Sequence, residues 1–160
     1  KLQHRHKVMK TSAAGLDLIK HFEGCELKAY ECAGGVLTWG WGHTRNVIEN
    51  GEISQEKADE LLVQDIEEIE SQVESLVTVE LNQHQWDAIL SWTFNLGCGN
   101  LRSSTLLKVL NEGKYDKVSE QIVRWDKASG KVLAGLTRRR RGEAILFDTD
   151  SLDFGEPYVG

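Results

Sequence analysis

The stretch that decides the fold of this chain is FEGCELKAYECAGGVLTWGWGHT, residues 22–44. Within it, eight residues separate Glu23 from Cys32, and five more separate Cys32 from Thr38. An acidic residue in front of a glycine is therefore followed by a glycine-rich segment that carries a thiol and a hydroxyl. Enzymes use these three groups to transfer protons and to attack bonds. We predict that the three residues form a catalytic centre.

The residues before Glu23 have the pattern of an amphipathic helix. Ser12 is a favourable N-cap residue, and apolar side chains recur at helical spacing from Leu16 to Phe22. Gly24 stands where helices often end. Glu23 is then predicted to lie in the last turn, where the helix dipole disfavours a negative charge.

The residues after Tyr30 change to a β pattern that is punctuated by glycine. Alternation predicts that one face carries the large side chains Leu37, Trp39, Trp41 and His43. The opposite face carries Thr38, Gly40, Gly42 and Thr44, so it is nearly bare of side chains. Such a face is expected where a ligand or another part of the backbone approaches closely.

The rest of the chain is dominated by helical periodicity. We predict helices over residues 54–76, 82–94, 103–113, 115–125 and 133–147, the second of them opened by a capping box from Asn82 to Gln85. The first of these carries Glu67, Glu68, Glu70 and Glu74, which we interpret as a solvated face. The sequence therefore predicts an α+β domain with a small β-containing N-terminal lobe and a larger helical C-terminal lobe.

The composition limits the class of protein. The chain has 160 residues and a formal net charge of −6, which argues against nucleic acid as a partner. No run approaches the roughly 18 apolar residues of a membrane helix, so stable membrane insertion is not expected. Three cysteines without a CxxC pair predict neither a disulfide scaffold nor a metal site.

The two ends differ from the domain between them. Met9 is the single methionine, and we predict that it is the natural start and that residues 1–8 are a cloning remnant without an export signal. Residues 9–147 are predicted to form the catalytic domain. Residues 148–160 are acidic, hold the single proline and are predicted to be a loose tail.

With Glu23, Cys32 and Thr38 in place, the chain resembles the phage-type lysozymes, the endolysins of glycoside hydrolase family 24. Their signature is a glutamate, eight residues, an aspartate or cysteine, five residues and a threonine. Further matches are Ala29-Tyr30, Gly40-Trp41-Gly42-His43-Thr44, Phe94-Asn95-Leu96-Gly97, Ser104-Thr105-Leu106-Leu107, Gly135-Leu136, Arg139-Arg140 and Glu143. The resemblance covers residues 12–147 and implies a lysozyme-like fold with the active site in a cleft between the lobes.

The resemblance also implies an activity and roles for residues. The expected substrate is bacterial peptidoglycan, cut at the β-1,4 bond between N-acetylmuramic acid and N-acetylglucosamine without a cofactor. Glu23 is expected to be the acid, and Arg139 matches the family arginine that pairs with it. Cys32 stands where many members have aspartate, and as a thiolate it either activates water or attacks the sugar; Thr38 is expected to orient the water.

Candidate substrate contacts and alternative functions complete the expectations. His43, Asn95 and Arg139 are predicted to contact the glycan. The alternatives are a lytic transglycosylase on the same bond, which needs no attacking water, and a non-catalytic cell-wall-binding protein. A monomer is expected, which accumulates in the cytoplasm of the host bacterium and reaches the wall through a holin when phage progeny are released.

Overall fold

The computed structural model describes residues 8–32 and 34–154. The elements in chain order are α1 (Ala13–Glu23), β1 (Glu26–Glu31), β2 (Leu37–Gly40), α2 (Gln55–Leu76), α3 (Gln83–Leu96), α4 (Cys98–Ser103), α5 (Thr105–Asn111), a 3-10 turn (Tyr115–Lys117), α6 (Val118–Ile122), β3 (Lys127–Ala128), β4 (Lys131–Val132) and α7 (Ala134–Thr149). Apart from Val8, the predicted cloning remnant lies outside the described residues, as do residues 155–160 of the predicted tail.

Three helices begin where their capping residues predict. The hydroxyls of Ser54 and Ser104 each accept a hydrogen bond of 3.0 Å from the backbone N–H three residues further on. Asn82 and Gln85 form the reciprocal capping box, with both bonds at 3.0 Å. These caps satisfy backbone donors that the helix itself leaves unpaired, so local chemistry fixes the starts of α2, α3 and α5.

The start of α1 depends on tertiary contacts instead. Ser12 is at the N-cap position, but its hydroxyl donates to Asp87 of α3, and its backbone N–H donates to the same carboxylate at 3.0 Å. Glu70 of α2 accepts from the N–H and the hydroxyl of Thr11 at 2.6 and 2.9 Å. Glu70 is 2% exposed, so its assignment to a solvated face is wrong. Its carboxylate is buried because it receives the donors of the chain that enters α1.

The main core lies in the helical lobe. α3 is at its centre and packs against α1, α2, α4 and α7. The fully buried large side chains of this core include Trp86, Trp92, Leu106, Leu110 and Phe147. A second, smaller cluster of Ile19, Leu62 and Ile66 joins α1 to α2, and Trp41 and Phe94 pack against it. The long helix α2 thus connects the two lobes.

The small lobe is built on one antiparallel pair of strands. Tyr30 pairs with Thr38 and Glu26 with Gly40, with a register irregularity between the two pairs. After β2 the chain reverses tightly, so that Trp39 and His43 exchange backbone hydrogen bonds. The arrangement is the expected α+β fold, with the strands at one end of α1 and α2.

The segment after residue 147 differs from the expected loose tail over its described part. α7 continues to Thr149. The ring of Phe154 packs against the main core, with its centroid 4.7 Å from that of His21. The ring of Phe154 covers apolar surface beside α1, a contact that an acidic composition does not indicate.

Gly15 tests the packing of α1 on α3. A Cβ at this position would lie 2.7 Å from a methyl of Thr11 and 2.9 Å from the Cβ and Cγ of Asp87. We expect Gly15→Ala to lower the free energy of unfolding by about 1–3 kcal/mol, because overpacking displaces the chain that carries Ser12. Urea denaturation followed by circular dichroism measures the change.

The matched control is Gly99→Ala, also within a helix. A Cβ at Gly99 meets no atom within 4 Å, so this variant is expected to be neutral or slightly stabilising. Equal stabilities of the two variants would contradict the close packing of α1 on α3.

Candidate active site

Glu23 ends α1 at the junction of the two lobes, with its side chain 18% exposed. Its Oε2 accepts a hydrogen bond of 2.5 Å from Nη1 of Arg139. Its Oε1 faces the backbone of Gly42, where an added Cβ would lie only 2.8 Å away. Gly42 has a φ of +83°, so both its backbone conformation and its neighbour require glycine. The carboxyl is held on two sides while part of it remains open to solvent.

Arg139 is fixed by acceptors from two helices. Its Nε donates to Oε2 of Glu143 at 3.2 Å, and its Nη2 donates to the carbonyl of Ser91 at 3.1 Å. The guanidinium carbon lies 5.9 Å from the ring centroid of Phe22. Arg139 is 3% exposed, so its donors are directed into the protein and onto Glu23. Its geometry makes it a support for the acid.

A second buried arginine completes this network. Arg140 and Glu143 are both fully buried, with Nη2 donating to Oε2 at 3.0 Å and Nε lying 2.7 Å from Oε1. The hydroxyl of Ser91 also donates to Oε2 of Glu143, at 2.6 Å. Burial lowers the pKa of Arg140, and the charge of Glu143 opposes that shift. Arg139 and Arg140 thus form one connected network with Glu143 and Glu23.

Cys32 and Thr38 lie together in the small lobe. Backbone N–H groups of Gly34 and then Val36 lower the pKa of the Cys32 thiol, and the Thr38 side chain acts in the same direction. Thr38 is 3% exposed, and its hydroxyl donates to the carbonyl of Val36 at 3.0 Å. Since a hydroxyl also has two acceptor lone pairs, Thr38 retains the capacity to accept from a water.

The pKa of Tyr30 responds to both Cys32 and Glu23. Burial raises the pKa of Tyr30, and the negative charges of Cys32 and Glu23 add to the rise. Tyr30 is also the cross-strand partner of Thr38 in the small lobe. Cys32, which directly follows β1, and Thr38 of β2 thus lie at the strand pair that follows Glu23 in the chain, and the joint catalytic role of the three residues stays a prediction.

A cleft of about 500 Å³ opens beside Glu23. Asn95, Arg138 and Arg139 contribute to its lining, together with the first turn of α7. The Oδ1 of Asn95 is buried and accepts no hydrogen bond from any described residue. An acceptor without a partner in a cleft is suited to a ligand N–H, so Asn95 remains a candidate for substrate contact.

His43 is held by partners within the protein. Its Nδ1 is 2.8 Å from Oδ2 of Asp65 on α2, and its Nε2 is 2.8 Å from the carbonyl of Arg45. The residue is 8% exposed. Both ring nitrogens are thus occupied by the protein, and His43 braces the loop after β2 against α2. This geometry argues against the predicted contact with the glycan.

The sequence did not predict that Arg140 and Glu143 pair in the core, nor that Ser91 donates to Glu143 there. The available signal was the i, i+3 and i, i+4 spacing of Arg140 and Arg139 from Glu143, together with a serine in the apolar run of α3. In residues 8–32 and 34–154, no group of three or more histidine, cysteine and carboxylate side chains is arranged to hold a metal ion.

The phage lysozyme family profile matches residues 20–143. The chain is 43% identical over 145 residues to the endolysin of Acyrthosiphon pisum secondary endosymbiont phage 1, a match that covers 88% of this chain and 99% of that protein. It is 42% identical over 144 residues to the endolysin of Bacillus phage B103. That match covers 88% of this chain and 55% of the relative, so the chain spans about half of the B103 protein.

Solved structures show the same similarity. The endolysin from Escherichia coli O157:H7 phage FAHEc1 superposes with a TM-score of 0.82 at 33% identity, covering 91% of this chain and 97% of that one. The muramidase domain of SpmX from Asticaccaulis excentricus superposes with a TM-score of 0.81 at 38% identity, covering 88% and 98%.

The buried network predicts a large effect of Glu143→Gln. Removing this charge leaves Arg139 and Arg140 with one carboxylate between them, so we expect the free energy of unfolding to fall by about 3–5 kcal/mol. The control is Glu68→Gln, which removes a carboxylate paired with Arg45 at the surface and is expected to cost less than about 1 kcal/mol. Chemical denaturation of both variants measures the difference, and similar losses would contradict the assigned network.

Proposed function

This chain belongs to the phage lysozyme family, and we propose that it is an endolysin that hydrolyses the β-1,4 bond between N-acetylmuramic acid and N-acetylglucosamine in bacterial peptidoglycan. Endolysins at about 40% identity and a muramidase domain of the same fold support the proposal. The observation that carries it is Glu23, a half-buried acid beside an open cleft and held between Arg139 and Gly42.

Glu23 acts as the general acid in the proposed reaction. Its protonated carboxyl donates to the glycosidic oxygen as the bond to the anomeric carbon breaks. Arg139 and the backbone of Gly42 limit the rotation of the carboxyl, so that the proton is delivered from a defined position. After proton transfer, the guanidinium stabilises the carboxylate that forms.

Cys32 and Thr38 act on the other reactant. The thiolate of Cys32 removes a proton from the attacking water or attacks the anomeric carbon itself, with water completing hydrolysis in both cases. The lowered pKa of the thiol increases the thiolate fraction near neutral pH. Thr38 accepts a hydrogen bond from the water, and Asn95 accepts an N–H from the substrate in the cleft.

The proposal includes a biological setting. The protein accumulates as a monomer in the cytoplasm of the host bacterium, reaches the wall through a holin, and releases phage progeny by degrading the wall. The family membership supports this setting. No helix among the described residues is long and apolar enough to cross a membrane.

The first test is Glu23→Gln. We expect the variant to fold and to lose activity by more than about a thousandfold, because the amide has no proton to transfer to the leaving oxygen. Purified peptidoglycan is digested with each protein, and the products are identified by mass spectrometry. Reducing muramic-acid ends from the wild type alone support the proposal, anhydro ends indicate a transglycosylase, and the absence of products indicates a binding protein.

The second test is the pH dependence that Cys32 imposes. Because the thiolate is the active form and its pKa is lowered, activity should rise with pH at values below those of an ordinary thiol, about 8.5. Cys32→Asp is already ionised in this range, so it should remain active with a flatter rise. Cys32→Ser should lose most activity, and a fully active serine variant would show that the thiol takes no part.

A further inference from the structure

The turn that carries Gly42 is closed by its own backbone. Trp39 and His43 exchange N–H···O hydrogen bonds of 3.0 and 2.9 Å across it. Gly40 and Gly42 have φ values of +64° and +83°, which place Trp41 at the outer end of the turn. Because these hydrogen bonds close the turn, a contact that holds Trp41 also restrains its neighbour Gly42.

Trp41 is held by side chains of two helices. Its indole Nε1 donates to Oδ1 of Asp59 on α2 at 2.8 Å. The ammonium of Lys20 on α1 lies 5.3 Å from the ring centroid, at a distance where cation–π attraction operates. The ring also packs against the small cluster of Ile19, Leu62 and Ile66. Side chains of α1 and α2 therefore hold the indole of Trp41 in place.

Asp59 is itself oriented for this contact. The same oxygen, Oδ1, accepts a hydrogen bond of 3.0 Å from Nε2 of Gln55, one helical turn earlier. The hydrogen bond from Trp41, followed by that from Gln55, lowers the pKa of Asp59. The shift favours the charged carboxylate, which forms the stronger hydrogen bond.

The Gly40–Gly42 turn restricts the orientation of the Glu23 carboxyl. Arg139 holds Oε2 of Glu23, but Oε1 faces the backbone of Gly42 at a distance that leaves no room for a Cβ. An outward displacement of the turn would open space at Oε1. The carboxyl could then rotate while its Oε2 keeps the hydrogen bond to Arg139. Displacements of about 1 Å in a catalytic centre cost up to a hundredfold in rate.

We propose that Trp41, held by Asp59, is a positioning residue that keeps the Gly40–Gly42 turn against Glu23 and so sets the direction in which the acid delivers its proton. This role rests on the proposed hydrolysis of peptidoglycan. It assigns a function to a carboxylate on the outer surface of α2 that touches neither substrate nor the acid.

The test compares Asp59→Ala, Asp59→Asn and Trp41→Phe on soluble glycan strands released from peptidoglycan by an amidase. Reducing ends measured over a range of strand concentrations give kcat and KM, and thermal unfolding gives the stability. We expect Asp59→Ala and Trp41→Phe to lower kcat about tenfold, with KM changed less than twofold and most of the protein folded. Asp59→Asn retains an acceptor oxygen for the indole and should recover most of kcat.

The matched control is Glu60→Ala, which removes the neighbouring carboxylate of α2. Glu60 is exposed and its recorded ion pair is with Lys57, so kcat should be unchanged. Wild-type kcat in Asp59→Ala would overturn the positioning role, as would a loss that only follows the unfolded fraction. Absence of products from the wild type would overturn the proposed function instead, and the positioning role with it.

Discussion

The ion pair between Arg139 and Glu23 is the interaction on which the site depends. It joins the end of α1 to α7 across 116 positions of the chain, and its arginine is 3% exposed. A buried guanidinium is costly unless its donors are satisfied. Glu143 and Ser91 accept hydrogen bonds from its Nε and Nη2, so the position of the acid is tied to the packing of α7 on α3. The acid is consequently held by a residue of the helical core.

The small lobe also holds the acid. It places the backbone of Gly42 against Glu23, whereas the large lobe supplies the charged Arg139. Gly42 approaches Oε1 of Glu23 more closely than any residue with a side chain could. Asp59 and Asp65 of α2 hold the neighbouring Trp41 and His43. The long helix therefore connects the lobes and also fixes the loop that faces the acid. Asp59 and Asp65, on the polar face of this helix, thus hold the loop in place.

Prediction from sequence succeeded where the stabilising interactions join residues that are close in the chain. Ser54, Asn82 and Ser104 begin helices because their own side chains cap N–H groups three residues away. Ser12 is at the predicted N-cap position of α1 but does not cap the helix with its side chain, and the prediction of a solvated Glu70 was wrong. Their hydrogen bonds go to Asp87 and Thr11, which are 75 and 59 positions distant. A helical period tells which face a residue occupies, but it does not tell what will pack against that face.

The sequence by itself determined the α+β class, the chief helices and the order of Glu23, Cys32 and Thr38, because periodicity, capping and motif spacing are properties of short segments. Only the tertiary structure decided which charges are buried. It placed Arg140 and Glu143 in the core, paired His43 with Asp65 and set Gly42 against the acid. These outcomes depend on where distant donors and acceptors meet once water is excluded, since an unpaired buried charge costs more than the chain can tolerate.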